Sequence, residues 1–279
     1  MKLNRSLIAS PARLAWIIAT LMVILATLPT ATADQPFRLR VLSYNIHHCE
    51  GVDRKLDVQR IAEVVRSVQP DIVALQEVDQ NVKRSRSVDQ PAQLAELTGM
   101  RVVFGANIPL QGGQYGNAIL SRFPITSYKN HLLPRIDDSE QRGVIEAIIA
   151  GPAPLGQLVF LATHLDYRAD ERERLASAKM INDLVAKRAD AAAILAGDMN
   201  ATPESETMRQ LSTVWKITND DPQFTIPVSE PTKQIDFILS APPAKWQAIE
   251  TRVLDEAVAS DHRAIFSILQ WQASKIDGD

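Results

Sequence analysis

The chain of 279 residues is predicted to fold as an α/β sandwich: two mixed, largely antiparallel sheets packed face to face, with helices on the outer faces, four layers in all. Three observations lead there. Short apolar runs with strand character alternate with helical periodicities near the start of the chain and again past its middle, the mark of βα units. Between those regions, strand-like runs follow one another with no helix between them, which calls for antiparallel pairing. No internal repeat and no low-complexity linker breaks the pattern, so residues 34–279 read as one domain.

The first strand is Arg38 to Asn45, "RLRVLSYN", which alternates with period two. Ile61, Val64, Val65 and Val68 then recur at helical spacing, and Pro70 closes that helix. Ile72 to Leu75 is a short buried strand, followed at once by Gln76 and Glu77. A helix over Pro91 to Leu97 has proline in its first turn and Gly99 past its end. The run of strands comprises Arg101 to Gly105, Gly116 to Leu120, Ile125 to Leu132, Val144 to Ile149 and Leu158 to Thr163, with turns at Gly112-Gly113 and over Gly151 to Gly156. Leu175, Ala178, Ile181, Leu184 and Val185 line one face of a longer helix. A buried strand over Ala191 to Leu195 follows, and the last three strands are Gln234 to Leu239, Ala248 to Val253 and Arg263 to Ile268.

Residues 1–33 are set apart from the fold. Lys2, Arg5 and Arg13 form a basic leader, Leu14 to Leu28 is apolar, and Ala31 to Ala33 fits a small-x-small cleavage site. That is the pattern of a secretory signal peptide, and the apolar run is shorter than the ~20 residues a spanning helix needs. The rival reading is an uncleaved anchor. Export places the protein outside the cell or in a periplasm. Without the leader's three cations the formal charge of −3 becomes −6. Such an acid balance argues against non-specific nucleic-acid binding. Cys49 is the lone cysteine, so no internal disulfide is expected, and stability must come from a core that 46% hydrophobic residues can supply.

Several strands end in side chains able to meet a metal or a phosphate. Asn45 ends the first, Glu77 the second and His164 another. Asp198 and Asn200, in "LAGDMN", leave the strand end on the same side, and Gly197 beside them permits close approach to the backbone. Asp236 is the one acid in the apolar strand "QIDFIL", and Asp261 and His262 open the final strand. Each alone has an ordinary explanation as a strand exit or turn. Together they are hard to obtain from solvation, since ligands in α/β proteins sit beyond the carboxyl ends of strands.

The ordered set "YNI", "PDIVALQEVD", "GNAILSRFPI", "THLD", "LAGDMN", "IDFIL" and "SDH" resembles the endonuclease/exonuclease/phosphatase superfamily over Arg38 to Leu269. The resemblance implies a two-sheet α/β sandwich and a metal-dependent phosphoesterase that uses water directly as nucleophile. It implies Glu77, Asp261 and Asn45 as the metal set, with Mg²⁺ as the ion and Mn²⁺ or Ca²⁺ as substitutes. Asp198 would orient or deprotonate the water, and His262, paired with Asp236, would stabilise charge on the phosphoryl oxygens. His164, Asn200 and Asn45 would face the phosphate. Arg142 stands where some members place a cation toward the substrate. Some abasic-site endonucleases carry an acid two residues after the first asparagine, whereas this chain has His47. If His47, His48 and Cys49 continue a strand, neighbours point to opposite faces and the three do not share one ion; the segment then forms the rim of the site.

The function expected is a secreted, monomeric hydrolase of phosphomono- or phosphodiesters, with no transmembrane segment in the mature protein. The alternatives are an extracellular endonuclease on DNA or RNA and a non-catalytic module of the same fold. Lys83, Arg84 and Arg86 are the one basic cluster near a motif that could meet a polyanion.

Overall fold

The computed structural model describes residues 37–188 and 191–272, so the leader lies outside the described residues. Two six-stranded sheets form the centre. The first has the order β11-β12-β1-β2-β4-β3 and the second β5-β6-β7-β8-β10-β9. The first sheet is built from β1 (Arg38–Asn45), β2 (Ile72–Gln80), β3 (Arg101–Leu110), β4 (Gly113–Ser121), β11 (Trp246–Val253) and β12 (Ile265–Trp271). The second holds β5 (Ile125–Leu132), β6 (Gly143–Ala150), β7 (Gln157–His164), β8 (Ala192–Asp198), β9 (Lys216–Ile217) and β10 (Asp236–Ala241). Each sheet is antiparallel except for one parallel pair, β1 with β2 and β7 with β8, and each of those pairs is bridged by a helix.

Those crossover helices are α1 (Val58–Ser67) and α3 (Arg172–Ala186); α2 (Gln90–Thr98) and α4 (Glu206–Leu211) join them on the outer faces. Side chains cap three of the four: Asp57 accepts from the Arg60 amide, Asp89 from Ala92 and Ser205 from Met208. Gly99, at φ 69°, ends α2 in the left-handed conformation. The apolar residues divide by strand parity. Val41, Ala74, Phe160, Ile194 and Ile238 fill the space between the sheets. Leu42, Val73 and Leu75 pack outward on Ile61, Val65 and Leu94 of the helices, while Leu161, Leu195 and Phe237 pack on Ala178, Ile181 and Met208. The expected sandwich is therefore the observed one.

Several local expectations are corrected. β2 runs on through Glu77 rather than stopping before it, and β10 begins at Asp236. Asp261 and His262 lie in the turn before β12, which starts at Ile265. His47 to Cys49 form a 3-10 turn, not a strand. α4 and β9 carry too few residues to show a periodicity in the sequence.

Candidate active site

The faces that fill the sandwich turn polar at one end. Val41 is followed on its face by Ser43 and Asn45, Ala74 by Gln76, Ala162 by His164 and Ala196 by Asp198, while Asp236 continues the face of Ile238. All these polar residues are buried. Alternation thus delivers them to one place, the end of the inter-sheet core, with no further device. Register fixes the neighbours: Asp198 lies opposite Asp236 on β10 and beside His164 on β7.

Asp198 is the hub. Its Oδ2 accepts from Asn45 Nδ2 at 3.2 Å and lies 3.4 Å from His164 Nε2 and 3.8 Å from His262 Nε2. Its Oδ1 accepts the Asn200 backbone amide at 2.9 Å. Asn200 is past the strand in the left-handed region, φ 46°, so it does not leave on Asp198's side by strand alternation. Its side-chain amide donates to the Leu165 carbonyl at 3.0 Å and ties the loop after β7 to the loop after β8. Burial, then the nearby Asp236 charge, pushes the Asp198 carboxyl up to about 7, against the opposing pull of His262.

His262 Nδ1 is 2.9 Å from Asp236 Oδ2. Burial alone would disfavour its charge. The Asp236 charge and hydrogen bond, with Asp198 and Asp261 behind them, outweigh that and raise the imidazole to about 10. His164 is the opposite case: burial first, then Arg142 and His262, hold it well below the usual histidine range. Arg142 Nη1 donates to His164 Nδ1 at 3.2 Å, so the neutral ring carries its proton on Nε2, toward Asp198. Arg142 is itself buried and lies 3.0 Å from Glu140. One buried imidazolium and one buried neutral imidazole thus flank a single carboxylate.

Glu77 reaches this end by a different route. Parity would send it outward with Leu75's neighbours, but the β2–β4 register shifts between Leu75 and Val78, and Glu77 has φ 59°. The bulge turns its carboxylate to Asn45, whose Nδ2 donates to Oε1 at 3.0 Å. Asn45 therefore bridges Glu77 and Asp198, while its Oδ1 accepts the His47 amide at 3.1 Å. Ser260 donates to the Asn45 carbonyl at 2.7 Å and lies 3.4 Å from Asp261 Oδ1, which joins the Asp261 turn to β1. The ligand atoms of His47, His48 and Glu77 lie within 4.8 Å of one another, as do those of Asp198, Asp236 and His262. The expectation that neighbouring histidines diverge fails because both are left-handed, at φ 43° and 44°. Cys49 is fully buried in the outer core, and burial pushes its thiol up, so it is an apolar filler.

This site has relatives. The model of the endonuclease/exonuclease/phosphatase family matches residues 42–262. The chain belongs to this family. It is 29% identical over 218 residues to the uncharacterized protein YbhP of Escherichia coli K12, covering 73% of this chain and 85% of that protein. An endonuclease/exonuclease/phosphatase from Beutenbergia cavernae superposes with a TM-score of 0.73 at 25% identity, over 87% of this chain and 73% of that one. A mannosyl-6-phosphatase from Bacteroides thetaiotaomicron shares the fold with a TM-score of 0.69 at 19% identity, over 84% and 100% of the two chains.

Family members are hydrolases of phosphoesters that depend on a divalent metal, and the carboxylate and histidine groups here fit such an ion. The contacts above join Asn45, Glu77, His164, Asp198, Asn200, Asp236, His262 and Arg142, whereas Asp261, expected beside Glu77, is in neither cluster of ligand atoms and is tied in through Ser260. Three further residues belong to the site. Asn117 on β4 donates to the Gly143 carbonyl at 3.0 Å, across from one sheet to the other and next to Arg142. Gln76 is fully buried with neither amide atom partnered, and Ser260 has the role just given. For Gln76 and Asn117 the signal was available: a polar residue on the inward parity of an otherwise apolar strand.

Proposed function

We propose that the chain is an exported, metal-dependent phosphoesterase that hydrolyses a phosphomonoester or phosphodiester by direct attack of water. One observation carries the reading: Asp198, at the end of β8, lies between a charged histidine and a neutral one. Asp198 is poised near neutrality to take a proton from water. Cationic His262, held by Asp236, stabilises negative charge gathering on the phosphoryl oxygens, and His164 Nε2–H and Arg142 supply donors from the second sheet. Asn200 fixes the floor of the site by tying two loops together. Glu77 and Asp261 would hold the ion, with Asn45 orienting Glu77. The carboxylate oxygens of Glu77 and Asp261 are donors that a divalent ion such as Mg²⁺ accepts, and the bound ion would polarise the phosphoryl group. No covalent enzyme intermediate is called for, because Ser260 Oγ, beside Asp261, is committed to the Asn45 carbonyl and Cys49 is buried in the outer core.

A small or exposed phosphoester fits better than duplex nucleic acid. Of the basic cluster, Arg84 is spent on Asp79, with two hydrogen bonds of 2.9 Å each, and only Lys83 and Arg86 remain to meet a polyanion. The mannosyl-6-phosphatase above is one example of a phosphomonoesterase on this fold. Export rests on the leader alone; among the described residues no helix is long and apolar enough to cross a membrane.

The test is hydrolysis of a panel of phosphomonoesters, phosphodiesters, sphingomyelin and plasmid DNA, with divalent metal and with chelator. Asp198→Ala and His262→Ala should each cost at least ~10²-fold in turnover while the protein stays folded. Near wild-type turnover in both would refute the assignment. Sequencing the amino terminus of the protein from the producing cell should begin near Asp34.

A further inference from the structure

The turn after β1 has a feature that the proposed chemistry does not use. His47, His48 and Cys49 are three successive left-handed residues without a glycine among them, at φ 43°, 44° and 62°. Glu77, which they face, is left-handed too. Such conformations are unfavourable for residues with a Cβ, and they cluster where function over-determines the backbone. Their effect is to put two imidazoles on the side of the Glu77 carboxylate, which a continuing strand could not do.

The rings are also prepared. His47 Nδ1 donates to the Glu50 carbonyl at 2.9 Å, which fixes the proton on that nitrogen and leaves Nε2 with its lone pair. A backbone carbonyl behind the ring is the usual outer support of a metal-binding histidine. His48 is 8% exposed, and its Nδ1 is buried without a partner. The turn is pinned from the other side by Gln90 Nε2, which donates to the His48 carbonyl at 2.6 Å. One ring nitrogen of each histidine and one Glu77 carboxylate oxygen lie within 4.8 Å of one another. Bonds of about 2.0–2.2 Å to zinc imply ligand separations near ~3.4 Å, so side-chain rotations suffice to close the group.

We propose that His47, His48 and Glu77 bind a borderline divalent transition ion, of the Zn²⁺ or Co²⁺ kind, in preference to Mg²⁺ or Ca²⁺. Imidazole suits such ions, and affinity for a nitrogen-bearing site rises along the first-row series, whereas Mg²⁺ and Ca²⁺ take oxygen ligands and Mg²⁺ gives up its water reluctantly. Two histidines and a glutamate are also a donor set found in catalytic zinc sites that keep a position open. The inference deepens the proposed function by naming the class of ion beside Asn45. It rests on that reading for the use of the ion, but on the turn and Glu77 for its binding.

The experiment is titration of the purified chain, stripped with chelator, with Co²⁺ and with Mg²⁺, read by calorimetry and by the visible absorption of bound Co²⁺. Co²⁺ should bind and give ligand-field bands, and a ~1,000-fold excess of Mg²⁺ should not displace it. His47→Asn and His48→Asn, chosen because asparagine accepts left-handed backbone, should each weaken Co²⁺ binding at least ~10-fold. Should either variant fold poorly by circular dichroism, nitrogen coupling from imidazole in pulsed paramagnetic resonance of Co²⁺ bound to the unmutated protein decides the matter. Co²⁺ affinity unchanged by both substitutions, binding lost instead on Asp236→Asn, or no nitrogen coupling would overturn the proposal. Co²⁺ bound through the histidines without phosphoester hydrolysis would sink the proposed function and leave this site standing. Hydrolysis with Mg²⁺, indifferent to His47, would do the reverse.

Discussion

Replacing Asp236 by asparagine should move the whole pH window of activity toward acid. In the native protein Asp198 is held near 7 and His262 near 10, so between those values the first is an anion and the second a cation. Asparagine keeps an oxygen that can accept the Nδ1–H, 2.9 Å away in the native protein, but it brings no charge. Burial then acts on His262 with much less opposition, and its pKa should fall to near the ordinary ~6.5. At pH ~8 only about 3% of the imidazole would stay protonated, a loss of ~30-fold from charge state alone. Asp198 loses its like-charged neighbour and should titrate below its native value, so the acid limb moves the same way. The assay is kcat/KM across pH at saturating metal, which reports groups of the free enzyme. A uniform fall at every pH, with the alkaline limb still near 10, would show that His262 does not act as a cation and would refute the reasoning.

The same pair sets a stability term: the folded pKa of His262 is raised to about 10, so its contribution is full below the unfolded ~6.5 and is lost as pH rises through about 10. The native melting temperature should therefore fall more steeply over that range than that of Asp236→Asn. Gly197→Ala would put a Cβ 2.0 Å from the Thr163 carbonyl oxygen on the neighbouring strand. It should cost ~1–3 kcal/mol, or several degrees in thermal melts, and an unshifted melt would contradict it. Binding to duplex DNA should be weak, with a log–log salt slope no steeper than about −2, because Arg84 is engaged by Asp79 and leaves two cations at that loop. A steeper slope with fast plasmid nicking would favour the nuclease reading.

Much of this was legible in the sequence. β1 and β5 have the predicted limits, and α2 has the predicted caps, because alternation, proline and glycine are local signals. Asp198 and His164 were legible for the same reason: each is one more step along a strand's inward face. What was not legible depends on backbone that breaks the alternation. Glu77 turns inward only through a bulge, Asn200 and both histidines are left-handed, and nothing in "NIHHCEG" announces three successive positive φ angles beside the Glu77 carboxylate.

That division follows from how the site is made. Where the sandwich needs only to end, the strands carry their own register into polar residues, and fixing Asp198 between Asp236 and His164 adds little backbone strain. Where a charge must be brought round from the wrong face, the chain departs from regular geometry, and the departure must be held elsewhere. Here it is held by Asn45, which bridges Glu77 and Asp198 through one amide nitrogen and accepts the His47 amide on its oxygen. Gln90 and Ser260 hold the turns on either side. Asn45 thus couples the expected ion-binding carboxylate to the expected base, and it does so from a strand whose pairing has no register shift. Loss of that one side chain should disturb both halves together, whereas loss of His47 or Asp236 should disturb only its own.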